Sequence, residues 1–464
     1  MKKKGIAIIL LVVIVIASLS VFAACDKKDD GKLHITFYHT MGSNLSDVLN
    51  EYIAKFEALY PEYKVDAKQV GSYDDVRNQV SSEIMTGKQP NLAYCYPDHV
   101  ALYNIAGAVQ TLDDYINSTE TVTRADGTTE TLGLTAAQKE DFIEGYYNEG
   151  KQFGDGLMYS MPFSKSTEVL YYNKTFFEKN NLKVPTTWDE MEEVCAAVKK
   201  INSKIIPLGY DSESNWFITM CEQLGSPYTA ANSETKEGHF LFNNDTNKEF
   251  MLRFVKWFQK GYVTTKELNG SKYTSALFKE QEAVMCIGSS AGAKNQIPAK
   301  VNDKYPFEAG ITSIPQINPS NPKVISQGPS VCIFRKKNTE EVKASWLFIK
   351  YLTTNASFQA DFSIASGYVP VIKSAAEDPV YKEQMAAANG HEALPQLSAK
   401  VCIEQEHAYY ASPAFYGSSK ARDEVGSLVQ KCFTNCLKLT DEAQIKAAIN
   451  AAFGIAISNC VQSL

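Results

Sequence analysis

Residues 34–39 read His-Ile-Thr-Phe-Tyr-His and residues 91–96 read Asn-Leu-Ala-Tyr-Cys-Tyr, and what lies between these two runs decides the fold class. Each is a short, bounded run of residues that favour strands. Between them Leu45, Val48, Leu49, Tyr52, Ile53, Phe56 and Leu59 recur at helical spacing, and Pro61 stops the pattern. A second strand-like run occupies 63–70, after which Val76, Val80 and Ile84 mark another helix that ends near Gly87. A β-α-β-α-β order of this kind predicts an α/β sheet with parallel strands, buried on both faces.

Toward the C-terminus a second unit opens near Met161-Pro162-Phe163 and continues through a strand at 168–172. Thr187-Trp188-Asp189-Glu190 then starts a helix, with Thr187 as N-cap and acids in the first turn, where they complement the helix dipole. Further helices are expected at 249–259, with Phe250, Phe254, Val255 and Phe258 on one side, and at 342–352. The Thr-rich stretch 119–131, centred on Asp126-Gly127, reads as a surface hairpin. No internal repeat or long linker is visible, so the chain is expected to cross between two lobes rather than pass through consecutive beads.

Toward the N-terminus, Met1-Lys2-Lys3-Lys4 is a basic head followed by twenty uncharged residues, 5–24. This is the pattern of a secretory signal, and the apolar run is also long enough to be an uncleaved membrane anchor. Phe22-Ala23-Ala24-Cys25 resembles the lipobox of bacterial lipoproteins, with Phe22 in place of the usual aliphatic residue. That resemblance implies cleavage after residue 24, lipidation of Cys25 and a polar tether over 25–31. Either reading puts the globular part outside the cytoplasmic membrane. Removing 1–24 takes away three lysines, which leaves 43 basic against 53 acidic residues, a net −10. An acidic chain without a long basic run does not suit a nucleic-acid surface. The nine cysteines after Cys25 are scattered with no CxxC pair, which reads as buried thiols acting as small hydrophobes.

Few segments suggest reaction chemistry. Gly288-Ser289-Ser290-Ala291-Gly292 matches the G-x-S-x-G turn of serine hydrolases and follows a strand-like run, with His391 and His407 downstream. The same turn equally serves to aim backbone N–H groups and hydroxyls at a ligand. Six dispersed histidines with no HxH or HExxH spacing give no metal site. There is no P-loop and no G-x-G-x-x-G. The chain has 25 tyrosines, 23 phenylalanines and 4 tryptophans, most of them expected in the core and many near turns and element ends. Flat rings beside hydroxyls, amides and a few charges suit a polyol-binding cleft.

Several segments together resemble the extracellular solute-binding proteins of ABC importers, in the glycerol-3-phosphate and sugar-binding branch and more distantly the maltose-binding proteins. The similarity runs from about residue 33 to about 453. It rests on Ile35-Thr36-Phe37-Tyr38-His39, Gly71-Ser72-Tyr73-Asp74, Met161-Pro162-Phe163-Ser164-Lys165-Ser166-Thr167, Leu170-Tyr171-Tyr172-Asn173-Lys174, Val184-Pro185-Thr186-Thr187-Trp188-Asp189-Glu190 and Ser366-Gly367-Tyr368-Val369-Pro370-Val371. It implies a two-lobed, type II periplasmic-binding-protein-like α/β fold, each lobe a mostly parallel sheet flanked by helices, with a hinge between. One lobe would hold 32–163 and 305–357, the other 164–304 and 358–464.

By the same resemblance, ligand groups would come from Tyr73, Asp74, Ser166, Trp216, Ser290, Gly328, Tyr368 and Arg422. Two departures stand out. The first of the branch's two tryptophans has no counterpart, its nearest residue being Glu213, and Asp74 is shorter than the usual Glu. A carboxylate added at Glu213 would disfavour a dianionic phosphate and favour a neutral oligosaccharide. The implied protein is a non-enzymatic, lipid-anchored receptor without cofactor or metal. It would work as a monomer, closing on a sugar or glycerol phosphate and presenting it to a membrane permease. The alternatives are an exported serine hydrolase using Ser290, and a surface scaffold whose cleft is unused.

Overall fold

The computed structural model describes residues 30–464. The expected signal segment and the Cys25 lipidation site lie outside the described residues. In chain order the strands are β1 (Leu33–His39), β2 (Tyr63–Gln69), β3 (Leu92–Cys95), β4 (Thr121–Thr123), β5 (Thr129–Thr131), β6 (Met161–Pro162), β7 (Glu168–Asn173), β8 (Ile206–Tyr210), β9 (Val263–Thr265), β10 (Ala283–Ser289), β11 (Ala309–Ser313), β12 (Val324–Ile325), β13 (Ser330–Ile333) and β14 (Tyr409–Tyr410).

Two five-stranded sheets organise these strands. One has the order β2-β1-β3-β13-β6 and the other β11-β7-β10-β8-β9. In the first, β1 pairs in parallel with both β2 and β3, as the opening β-α-β-α-β pattern predicts. Each sheet contains one strand that runs against the rest: β13 in the first, β7 in the second. Both are the first strands entered after the chain crosses from the opposite sheet. That shared position explains their direction, because a chain arriving at the edge facing the other sheet must run away from it.

The helices cover the sheets as their apolar stripes require. The Ser43–Leu59 helix turns Leu49, Tyr52, Ile53 and Phe56 into the first core, and the charged face stays in solvent. The Trp188–Ile201 helix starts at Thr187, whose hydroxyl accepts from the Glu190 backbone N–H while the Glu190 carboxylate accepts from Thr187 in return. Among the described residues no helix is long and apolar enough to cross a membrane. All nine cysteines from Cys95 onward are free and buried.

The expected hairpin at 119–131 forms as β4 and β5. The expected lobe boundaries, in contrast, need correction. Residues 309–313 form β11, which pairs with β7 in the second sheet, so the segment 305–357 does not lie wholly in the first lobe. Conversely, Phe358, Phe362, Val369, Val371 and Cys402 pack into the first core, although they fall within 358–464. The last two helices, Ser418–Cys436 and Glu442–Gln462, return to the second core through Val425, Leu428, Phe433, Ile449 and Phe453.

Candidate functional site

Three stretches of chain pass between the sheets, and a ribbon at 163–166 is pinned between the other two. On one side Lys165 exchanges backbone bonds with Val369, at 3.2 and 2.7 Å. On the other, Ser166 exchanges bonds with Gln327 at 2.8 and 3.0 Å. Gly328 makes this packing possible: its φ is +98°, and an added Cβ would stand 2.5 Å from the Ser164 carbonyl oxygen and 2.9 Å from the Lys165 Cα. The Lys165 ammonium turns inward, fully buried, to Glu149 at 2.6 Å, and also donates to the Gly328 carbonyl and the Ser330 hydroxyl. Ser326 donates to the other Glu149 oxygen at 2.9 Å. The ion pair is thus satisfied on both sides, which a buried charge requires.

Beside this crossing lies a cleft with a main chamber of about 490 Å³, within the range of small-molecule sites. Its walls come from one end of the second sheet: Asp211 and Ser212 just after β8, Lys266 just after β9, Ser289 at the end of β10, and Glu168 at the start of the reversed β7. In the first lobe Tyr73 follows β2, and Tyr96 and Asp98 follow β3. Both sheets therefore present their strand carboxyl ends to the gap, where α/β sheets ordinarily bind ligands.

The electrostatics centre on Arg422, in the first turns of the Ser418–Cys436 helix. Its guanidinium donates to the Asn215 side-chain oxygen, and the Asn215 amide donates to Gln327 at 3.0 Å. Among the described residues it forms no ion pair. Burial pushes the Glu168 carboxyl up to about 7, although Tyr210 donates to it at 2.6 Å and Arg422 lies near. Burial also raises Asp211, against the pull of the Thr274 backbone N–H and hydroxyl at 2.6 and 2.8 Å. Gly288 lets this carboxylate sit against β10, since a Cβ there would be 2.9 Å from Asp211 Oδ2. Beside Asp98, burial holds the His99 imidazole below its ordinary pKa.

The residues named from the sequence divide clearly. Arg422 lines the cleft. Tyr73 and Tyr368 are brought together, hydroxyl to hydroxyl at 3.3 Å, and Tyr73 lies against Tyr96 with ring centres 4.8 Å apart. Ser166 sits at the crossing, its hydroxyl 3.5 Å from that of the cleft residue Ser289. Four others are corrected. Asp74 is on the outer face of its helix, paired with Arg77 at 3.2 Å, because Ser72 and Asp75 form the cap and set the helix phase. Trp216 is a core ring, 2% exposed, stacked on Tyr210 at 4.8 Å and packed on Phe254 at 4.4 Å. Gly328 serves the crossing.

Ser290 is the fourth. It is wholly buried, its hydroxyl oxygen accepts from the Thr167 backbone N–H at 3.1 Å, and its carbonyl accepts from Ser398 at 2.9 Å. Ser289, the last residue of β10, lines the cleft, whereas Ser290 opens the turn that follows and is buried. A sealed hydroxyl held as an acceptor is a structural tie and not an attacking nucleophile. Glu213 likewise stays outside the chamber lining, at 5% exposure beside Thr265, so it adds no carboxylate to the cleft. Asn215, Gln327, Glu168 and Asp211, which do shape the cleft, carry no motif. Only their places just after strand ends, or at a crossing, would have marked them.

Comparison with known proteins bears on this geometry. Residues 51–389 match the model of a family described as bacterial extracellular solute-binding protein. The sn-glycerol-3-phosphate-binding periplasmic protein UgpB of Escherichia coli K12 is 24% identical over 356 residues, covering 74% of this chain and 75% of that one. The sugar-binding protein MalE of Xanthomonas citri superposes with a TM-score of 0.71 at 16% identity, over 93% of this chain and 98% of that one. UgpB of Mycobacterium tuberculosis, solved with glycerophosphocholine, gives 0.69 at 17%, over 92% and 99%. With two sheets facing one cleft across a pinned crossing, and a family match over most of its length, the chain belongs to the bacterial extracellular solute-binding protein family.

Proposed function

We propose that this protein is the substrate-binding lipoprotein of an ABC importer, and that its cleft captures a small polyol bearing one anionic group, of the glycerol-phosphate type. The observation that carries the reading is Arg422: a guanidinium in the cleft wall that forms no ion pair among the described residues and is oriented by the Asn215 side-chain oxygen. A planar cation held in this way suits bidentate contact with a phosphate. Asp211, Ser212, Ser275 and Ser289 would read the hydroxyls. UgpB of Escherichia coli, named for sn-glycerol-3-phosphate, points the same way. In this reading the protein catalyses nothing, is tethered as a monomer through lipidated Cys25, and hands its closed form to a permease.

A neutral sugar is the second reading, favoured by Glu168 and Asp211 as hydroxyl acceptors. Calorimetry with sn-glycerol-3-phosphate and maltose, on wild type and Arg422→Ala, separates the two. The proposal expects micromolar or tighter binding of the phosphate, lost in the variant. Binding of maltose alone, unaffected by the substitution, would establish the neutral reading instead.

A further inference from the structure

In the wall of the main chamber Arg422 is joined to a buried acid through a single amide. That acid is Glu168, the first residue of β7, which is 1% exposed and lines the chamber together with Arg422. The Tyr210 hydroxyl donates to its Oε2 at 2.6 Å, and the Asn215 side chain also favours its charged form. Asn215 is itself fixed at three points. Its backbone N–H donates to Ser212 at 3.2 Å, its amide nitrogen donates to Gln327 at 3.0 Å, and its side-chain oxygen accepts from Arg422. The order Tyr210, Glu168, Asn215, Arg422 therefore puts the carboxyl one side chain away from the guanidinium.

The other charges around this relay have partners of their own. Asp211 accepts from the Thr274 backbone N–H and hydroxyl at 2.6 and 2.8 Å, and Lys266 lies 3.7 Å from Glu267. From the first lobe Asp98 comes near Arg422 but accepts from Ser419 at 2.8 Å, and Asp423, on the helix of Arg422, comes near Arg77. Burial holds the Tyr210 and Tyr410 phenols beside Glu168 well above their ordinary value, so both stay neutral. The cation that favours the Glu168 carboxylate is Arg422, the same group that receives an anionic ligand. An anion seated there takes that support away and adds a like charge in the same buried wall, where two negative charges beside one cation disfavour each other. Burial already raises the Glu168 carboxyl to about 7, so near neutral pH it responds by taking a proton from solvent.

We propose that Glu168 is the internal counter-ion of Arg422, and that an anion binds in the cleft by replacing it in that role, with one proton passing from solvent to the Glu168 carboxylate. This inference rests on the proposed binding of a polyol anion at Arg422. Glu168 is then a positioning residue, which acts through Asn215 and Arg422 and sets the ligand charge that the cleft accepts at a given pH. Affinity for an anion is highest below the value of about 7 that the carboxyl has in the free protein, and it falls as pH rises above that value. A neutral sugar brings no charge to Arg422 and takes up no proton.

Calorimetry on the full mature chain near pH 8, in two buffers of different ionisation enthalpy, counts the protons taken up with sn-glycerol-3-phosphate. A phosphate monoester loses its own second proton at about pH 6, so the ligand stays a dianion there. The wild type is expected to take up about half a proton or more, and its Kd to rise about five-fold or more between about pH 7 and about pH 8.5. Glu168→Gln, which mimics the protonated acid, should bind without uptake and with a flat profile over the same range. Tyr210→Phe removes a donor to the carboxylate, so the fall in affinity should move to higher pH, and this variant decides the matter if Glu168→Gln fails to fold. Binding without uptake in the wild type overturns the inference, as does uptake unchanged in Glu168→Gln, a fall unmoved in Tyr210→Phe, or equal uptake with bound maltose. Each of those leaves the Arg422 reading standing. Failure of sn-glycerol-3-phosphate to bind across the pH range, or binding of maltose alone, instead overturns the underlying reading and takes this one with it.

Discussion

At the scale of single residues, Arg422 and Trp216 show how similar expectations from sequence diverge in space. Both are assigned to the ligand by family resemblance, yet one lines the cleft and the other is sealed between Tyr210 and Phe254. Arg422→Ala is expected to weaken binding of a glycerol phosphate by about 2–5 kcal/mol, since it removes one side of a buried charged hydrogen bond, while the melting temperature changes little. Trp216→Ala should do the reverse, costing about 3–5 kcal/mol of stability as a large core ring is removed. The protein that remains folded should bind with unchanged affinity. Paired unfolding and binding measurements on the two variants check both statements, and loss of affinity in folded Trp216→Ala would return that ring to the site.

Glu168 makes a pH prediction. Its carboxyl is raised to about 7 in the folded protein against an ordinary 4.5. Between those values the folded state holds a proton that the unfolded chain has lost, so stability falls as pH rises from about 4.5 to about 7. The full span corresponds to a contribution on the order of 3 kcal/mol. Glu168→Gln should flatten that part of the stability–pH curve, and an unaltered slope in the variant would assign it to other groups. Such residues were poorly legible in the sequence. Glu168 and Asp211 are acids among 53, distinguished only by burial at strand ends that lie far apart along the chain. The Ser289–Ser290 choice turned on where β10 ends, since Ser289 closes the strand and Ser290 opens the buried turn after it.

At the scale of elements, the pinned ribbon is the feature that makes one molecule of two lobes. Lys165→Met leaves the Glu149 carboxylate buried and unpaired, with an expected cost of about 3–5 kcal/mol in urea unfolding. The double variant Lys165→Met, Glu149→Leu should recover much of that loss, and a double variant no more stable than the single one would show that the pair is not its source. Gly328→Ala should destabilise by more than the 1 kcal/mol or so typical of a left-handed glycine, because its Cβ meets the backbone of Ser164 and Lys165. Elements set by local pattern were readable: β1, the Ser43–Leu59 helix, the hairpin, and the Thr187 cap. β11 and the course of 358–402 were not. Nothing local distinguishes a strand that joins one sheet from a strand that joins the other, and the pairing of β11 with β7 spans more than a hundred residues.

At the scale of the whole molecule, the two sheets direct their strand ends at one gap and share three chain crossings, an arrangement suited to opening and closing about the ribbon at 163–166. A ligand stabilises closure only to the extent that it contacts both lobes more fully in the closed form. Here Tyr96 and Asp98 of the first lobe line one chamber together with Arg422 of the second. Small-angle scattering should show a smaller radius of gyration with sn-glycerol-3-phosphate than without, and no change in Arg422→Ala at the same concentration. The central claim, that an anionic polyol is held at Arg422 between the lobes, is tested most directly by a crystal structure with sn-glycerol-3-phosphate. The account predicts phosphate oxygens about 2.7–2.9 Å from the Arg422 guanidinium nitrogens, with the glycerol hydroxyls on Asp211 and its neighbours. A phosphate bound elsewhere, with Arg422 still held by Asn215 alone, would contradict it.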